Sequence, residues 1–223
     1  VTLIERNKDI LLGASLNNQN RLHLGYHYPR DADTAEMSAV GFRKFSEKYS
    51  SAISEKFDNY YFIADQHSKV SFLEFEEFCC DNKLPFDRVN PNQLEFNIKN
   101  VSGGVKVDEV VYDVFRLRQI LHARLKHANV EVCLNENVLD IKTSSNYNVV
   151  ITSSKGISAD FIVNATYDNV NYVRNMLGLP ARALKQQQTV VPIVETNLRR
   201  VGITIMDGPF FTLLPYGMSE KSL

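Results

Sequence analysis

The first six residues, Val1-Thr2-Leu3-Ile4-Glu5-Arg6, form an apolar run of strand type that closes on an acidic side chain. Consecutive apolar positions suit a strand covered on both faces, as in a parallel sheet. In a nucleotide-binding βαβ unit, an acidic residue at the end of the second strand accepts hydrogen bonds from the adenosine ribose. Glu5 stands where that acceptor belongs, and Arg6 is placed to flank the adenine. Taken alone, the hexapeptide fits an edge strand with a charged exit equally well.

The stretch Gly13-Ala14-Ser15-Leu16-Asn17-Asn18-Gln19-Asn20-Arg21-Leu22-His23-Leu24-Gly25-Tyr26-His27-Tyr28-Pro29-Arg30 is too rich in Asn, His, Tyr and Gly to be a plain connector. Small residues let backbone approach a ligand closely, and Asn17, Asn18, Asn20 and Arg21 supply convergent donors for phosphate oxygens. The same Asn residues also suit Asx-turns in a tight loop. His23 and His27 are four apart, but Gly25 and Pro29 argue against a helix and no carboxylate accompanies them at fixed spacing, so no metal site is expected.

Bulk properties narrow the classes. With 223 residues and 44% apolar side chains the chain can hold one large domain or two small ones. A formal net charge of −1 argues against a nucleic-acid binder. No run approaches the ~18 apolar residues of a membrane span. Cys79, Cys80 and Cys133 form no C-x-x-C and read as reduced structural thiols, which points to the cytoplasm.

Periodicity predicts a helix over 34–49 with a capping box at Asp33-Thr34-Ala35-Glu36, and a strand at Tyr60 to Ala64. A second capping box at Ser71 and Glu74 opens a helix whose inner face is Phe72, Phe75 and Phe78 or Cys79. Residues 93–112 are expected as two strands about a turn at Ser102-Gly103-Gly104, and Asp113 as the N-cap of a helix that stops at Asn129. A helix followed at once by Val130 to Leu134 reads as the closing half of a βαβ crossover. Val138 to Thr143 and Tyr147 to Thr152 then predict a hairpin across Ser144-Ser145-Asn146, and Ala159 to Ala165 a third strand. A helix near 169–177 is followed by β-like runs at Thr189 to Glu195, Gly202 to Met206 and Phe210 to Leu214, with a tight turn at Asp207-Gly208.

Three features together resemble the flavin-dependent oxidoreductases of the D-amino acid oxidase and glycine oxidase superfamily: the acidic strand end at Glu5, the R-x-H-x-G-like stretch Arg21-Leu22-His23-Leu24-Gly25, and Ala159-Asp160-Phe161-Ile162-Val163-Asn164-Ala165-Thr166-Tyr167. The last is similar to the family's late strand, A-D-x-V-V-x-A-x-G. The resemblance implies FAD as cofactor and an α/β (α+β) architecture. It divides the chain into a partial, discontinuous Rossmann-like cofactor domain at 1–30 and 110–178, and a mostly antiparallel substrate domain at 31–109 and 179–223. It also implies that Asn17, Asn18, Asn20 and Arg21 serve the pyrophosphate or the flavin edge, that Val138 contacts the adenine through its backbone, and that Ala165 and Thr166 bring backbone to the cofactor. His23 becomes a flavin-proximal polar residue, and Tyr26, Tyr28 and Tyr216 orient substrate through their hydroxyls. In some relatives a similarly placed His carries a covalent flavin bond, but the residues around His23 do not match theirs.

The implied reaction oxidises a CH–NH or CH–OH group of a small amine, amino acid, hydroxy acid or sugar by hydride transfer to flavin, and self-association is open. A non-catalytic binding protein on the same scaffold, or a flavoenzyme of non-oxidative rearrangement, are the alternatives. Two departures stand out. Tyr167 occupies the place of a family Gly, and the glycine-rich turn that grips the pyrophosphate is not among these residues. The chain as given therefore reads as a fragment, expected to bind FAD weakly or not at all and to be inactive by itself.

Overall fold

The computed structural model describes residues 1–145, 147–198, 200–208 and 210–217. In chain order the strands and α-helices are β1 (Thr2–Ile4), β2 (Arg21–Leu22), α1 (Ala32–Tyr49), β3 (Asp58–Ala64), α2 (Phe72–Asp81), β4 (Phe86–Val89), β5 (Val101–Val107), β6 (Val110–Val111), α3 (Val114–His127), β7 (Glu131–Cys133), β8 (Val138–Thr143), β9 (Asn148–Thr152), β10 (Gly156–Ala159), α4 (Val170–Met176), β11 (Val201–Met206) and β12 (Phe211–Leu213). The chain is mixed α/β and divides into two compact units, Val1–Leu12 with Leu121–Val190 and Gly13–Ile120 with Val191–Leu223. These units meet along the chain at 12, 120 and 190. β2 pairs antiparallel with β6 (Arg21 opposite Val111) and so ties the Asn-rich stretch to the second unit.

In the first unit, β1 runs parallel to β7, with Leu3 opposite Val132. Helix α3 ends where Asn129 takes φ 52°, and the Val130 N–H donates back to the Leu125 carbonyl at 3.0 Å. Such left-handed closure releases the chain straight into β7. β8, β9 and β10 follow as an antiparallel meander. The expected turn residue Asn146 lies outside the described residues.

One expectation here is overturned. The predicted strand Ala159 to Ala165 is a strand only up to Ala159, and residues 160–166 join no sheet. β9 begins at Asn148, opposite Ala159, and the β9–β10 ladder ends there. The Asn148 Nδ2 instead donates to the carbonyls of Ala159 (3.3 Å) and Asp160 (3.2 Å). Among the described residues the sheet neighbour of β1 is β7, so Ile4-Glu5 and Val163 to Ala165 are not neighbouring pieces of one sheet.

The second unit is built on a five-stranded sheet of order β12-β11-β3-β5-β4, with β11 parallel to β3 and the other pairs antiparallel. β3 is central, which is why its run is apolar on both faces. Alternation sends Tyr61 and Ile63 into one core with Val105, Val107 and Met206, and Tyr60 and Phe62 into another with Val201, Ile203 and Leu213. Helix α2 contributes Phe75 and Cys79 to the first core, both fully buried. Its capping box is present: Glu74 N–H donates to Ser71 Oγ, and Ser71 N–H to Glu74 Oε2. α1 starts two residues earlier than expected because Asp31 is the residue whose side chain accepts from Thr34 N–H, at 3.0 Å. Asp113 caps α3 by accepting from the N–H groups of Phe115 and Arg116, each at 2.9 Å.

Gly103 and Gly104 do not turn the chain; both lie inside β5. A side chain at Gly103 would run into the Phe72 ring, and one at Gly104 into the Phe62 ring. These glycines are where two aromatic rings rest on the sheet, a packing role rather than a bend. The run 189–195 is no extended strand either. Pro192 removes a donor from it, and Val190 is 86% exposed.

Candidate functional site

The register of the second unit's sheet places Thr204 of β11 opposite Tyr61 of β3. Two hydroxyls thereby stand side by side, and the Arg21 guanidinium of β2 forks onto them. Its Nη1 donates to Tyr61 Oη at 2.6 Å and its Nη2 to Thr204 Oγ1 at 2.5 Å. Tyr61 in turn donates to Glu109 Oε2 at 2.6 Å, and the Leu24 N–H donates to Glu109 Oε1 at 2.7 Å. Arg21 Nη1 lies 3.8 Å from Glu109 Oε2, with side-chain exposures of 2% and 0%. A buried charge is tolerated only when it is paired and hydrogen-bonded, and this network supplies both conditions. Burial opposes ionisation of Glu109, but His23, Arg21 and Tyr61 outweigh it and hold the carboxyl below its usual range. Burial pushes the Tyr61 hydroxyl well above its ordinary value, so it remains a donor.

Over this network lies a cluster of rings, half-buried at His23, His27 and Tyr28 and exposed at Phe210. The His23 and His27 centroids are 5.2 Å apart, Tyr28 lies 5.8 Å from His23 and 5.6 Å from His27, and Phe210 lies 5.4 Å from His27. His23 Nδ1 sits 3.7 Å from Glu109 Oε1. Burial, then the neighbouring His23 and Arg21, lower His27 to about 4, so it is neutral near pH 7. The Nδ1 atoms of both imidazoles are buried without a hydrogen-bond partner, as are both amide atoms of Asn20, a residue 1% exposed with φ 52°. At the rim, Arg30 Nε donates to Asp207 Oδ2 at 2.8 Å.

The candidates named from the sequence are dispersed differently from one another. Glu5 ends β1 in the first unit, where its Oε1 accepts from Asn7 N–H (2.8 Å) and Asn7 Nδ2 (2.7 Å). Arg6 is exposed, Val138 opens β8 opposite Thr152, and Ala165 and Thr166 are exposed in coil. In the second unit, Asn17 and Asn18 close turns by donating to the carbonyls of Gly13 and Ala14. Tyr26 is fully buried and donates its hydroxyl to the Pro85 carbonyl. Arg21 and His23 meet; Asn20 directly precedes them in the chain. Glu109, Tyr61 and Thr204 were missed. The usable signal was polar residues inside apolar runs, Glu109 before Val110-Val111 and Thr204 within Val201 to Met206.

Imidazole nitrogens beside aromatic faces suit a flat ring ligand and a transferable proton. Among the described residues no group of three or more His, Cys, Asp or Glu is placed to hold a metal ion. Comparison with known proteins defines the class, FAD-dependent oxidoreductases. The family described as "DAO: FAD dependent oxidoreductase" matches residues 1–219. The chain belongs to this family of FAD-dependent enzymes. It is 27% identical over 215 residues to the FAD-dependent monooxygenase FPY4 of Fusarium mangiferae, covering 96% of this chain and 54% of that protein. It is 26% identical over 226 residues to the FAD-dependent monooxygenase kojA of Aspergillus flavus, covering 96% and 52%. The chain thus spans about half the length of these relatives. Glycine oxidase from Bacillus cereus shares the fold, with a TM-score of 0.73, 14% identity and coverage of 100% of this chain and 62% of that one.

Two residues named from the sequence carry donors or acceptors of the kind FAD would need, Glu5 in the first unit and the buried Asn20 in the second. Glu5 puts a carboxylate at the carboxyl end of a parallel strand, the place of a ribose acceptor. In the second unit, the orphaned Asn20 amide offers a donor and an acceptor together, which matches the N–H and C=O edge of a flavin ring.

Proposed function

We propose that the protein oxidises a CH–NH or CH–OH group of a small amine, amino acid or hydroxy acid. FAD, when bound, supplies the hydride acceptor. Glu5 takes the ribose hydroxyls, Asn20 the flavin edge, and Asn17, Asn18 and Val138 serve through backbone and side-chain polar groups. His23 receives the proton of the substrate's N–H or O–H. Tyr28 and His27 supply ring faces that shield the polar network beneath them from water, which strengthens its interactions. Arg21 acts within the buried network, and Tyr26 as packing under the same loop. The observation that carries this reading is the cluster of two partly exposed imidazoles directly above a buried Arg–Glu pair.

The test is anaerobic reduction of the whole FAD-loaded protein, of which these residues are part, by candidate amines and hydroxy acids, followed at the flavin absorbance. Substrate should bleach the flavin, and His23→Gln should lower kcat/KM by about 10²-fold or more, the usual scale of general-base catalysis. Full activity in His23→Gln rejects the assignment.

A second reading draws on the printed names of the curated relatives, which are monooxygenases. Transfer of one oxygen atom from labelled dioxygen into product would favour it over simple oxidation. No helix among the described residues is long and apolar enough to cross a membrane. A cytoplasmic location is proposed on three cysteines that are all free thiols.

A further inference from the structure

We propose that Glu109 is a positioning residue that holds His23 in its Nδ1–H tautomer, leaving Nε2 as the nitrogen that accepts the substrate proton. The inference rests on the reading of His23 given above and adds how its two nitrogens are told apart.

The Glu109 carboxylate is saturated on one side. Oε2 accepts from Tyr61 and faces Arg21, while Oε1 accepts from Leu24 N–H and has His23 Nδ1 3.7 Å away. Leu24 is the residue after His23, so one carboxylate anchors the backbone next to the ring and faces the ring itself. At that separation the contact is electrostatic rather than a formed hydrogen bond. Two arrangements are open to a neutral imidazole. Turning the Nδ1 lone pair toward a buried anion is repulsive; turning N–H toward it is attractive.

No competing acceptor is bonded to Nδ1, which is buried and unpartnered. The charged and titratable groups around His23 are Glu109, Arg21, His27, Tyr28, Tyr61 and Asp207, the last through its contribution at His27. Among the described residues, the carboxylate that faces Nδ1 is that of Glu109. The ring is nevertheless 30% exposed, so its accessible part lies away from Nδ1. With the proton fixed on Nδ1, the Nε2 lone pair is free. In the step it serves, the substrate's O–H or N–H bond breaks, its electron pair stays on the heteroatom, and the proton bonds to Nε2. The resulting imidazolium is then stabilised by the same carboxylate.

Two-bond 1H–15N correlation spectra of the 15N-labelled chain read the tautomer directly, at a pH where the imidazoles are neutral. His23 is assigned among the five His by His23→Gln. Protonated Nδ1 and bare Nε2 are expected for His23, with a shift toward the Nε2–H form in Glu109→Gln and recovery in Glu109→Asp. A wild-type His23 protonated on Nε2, or an unchanged tautomer in folded Glu109→Gln, overturns the proposal. If Glu109→Gln does not fold, the wild-type spectrum alone decides between the two tautomers. The two readings fail separately: His23→Gln with unchanged turnover removes the proton-acceptor role but not the tautomer, whereas a wrong tautomer with impaired His23→Gln removes only the role of Glu109.

Discussion

Arg21 and Thr204 are 183 residues apart in sequence, yet Arg21 Nη2 donates to Thr204 Oγ1 across 2.5 Å in the interior of the second unit. The bond joins the short β2 to a strand near the other end of the chain. Thr204→Val keeps the shape but leaves a buried guanidinium donor unmatched. A loss of about 1–3 kcal/mol is expected, read as a lower urea midpoint with unchanged slope. Arg21→Met leaves Glu109 buried without its cation and should cost more, about 3–5 kcal/mol. Equal and negligible losses in both variants would contradict the network.

Stability should depend on pH through His27. Its folded value of about 4 lies below the ordinary 6.5, so between those limits the unfolded chain binds a proton that the folded chain does not. Unfolding therefore takes up protons there, and stability falls as pH drops from 6.5 to 4. Glu109 acts in the same direction at lower pH, because its lowered carboxyl stabilises the fold above its unfolded value and ceases to as pH falls through the folded one. Urea midpoints measured across this range should decline, and His27→Gln should flatten the part between 6.5 and 4.

Gly103→Ala drives a methyl group into the Phe72 ring in the middle of β5. Overpacking of this kind costs about 1–3 kcal/mol. Pairing it with Phe72→Leu should recover part of the loss in a double-mutant cycle, whereas strict additivity would show that the ring is not what the new methyl meets.

Tyr167, where the resemblance leads one to expect Gly, has φ 54° and is 79% exposed. A non-glycine residue in this left-handed region is strained, and little packing is lost by trimming the side chain. Tyr167→Gly should raise stability by up to about 1 kcal/mol, set against the greater freedom of the unfolded chain. A lower thermal midpoint would show that the exposed ring makes contacts that matter.

The contrast between Ser71 and Glu109 shows what could be read from the chain alone. Ser71 and Glu74 satisfy one another across three residues, so spacing is enough to place the start of α2; the same holds for Asp113 and α3. Glu109 meets Arg21 and Tyr61 only once β2, β3 and β6 are in register, and no local pattern encodes that. Gly103-Gly104 misled because a glycine pair has two physical uses, to bend a chain or to receive a ring, and only Phe62 and Phe72 decide between them. Val163 to Ala165 misled for a related reason: β propensity is a capacity to pair, and the ladder between β9 and β10 ends at Asn148.

That last segment has a practical consequence. Phe161 and Val163 are two apart, 90% and 88% exposed, and their backbone belongs to no ladder. Exposed apolar side chains on backbone outside any ladder favour intermolecular pairing, and cloudiness on concentration is the expected behaviour of a solution of this chain. A single lysine in place of Phe161 should be enough to keep it clear.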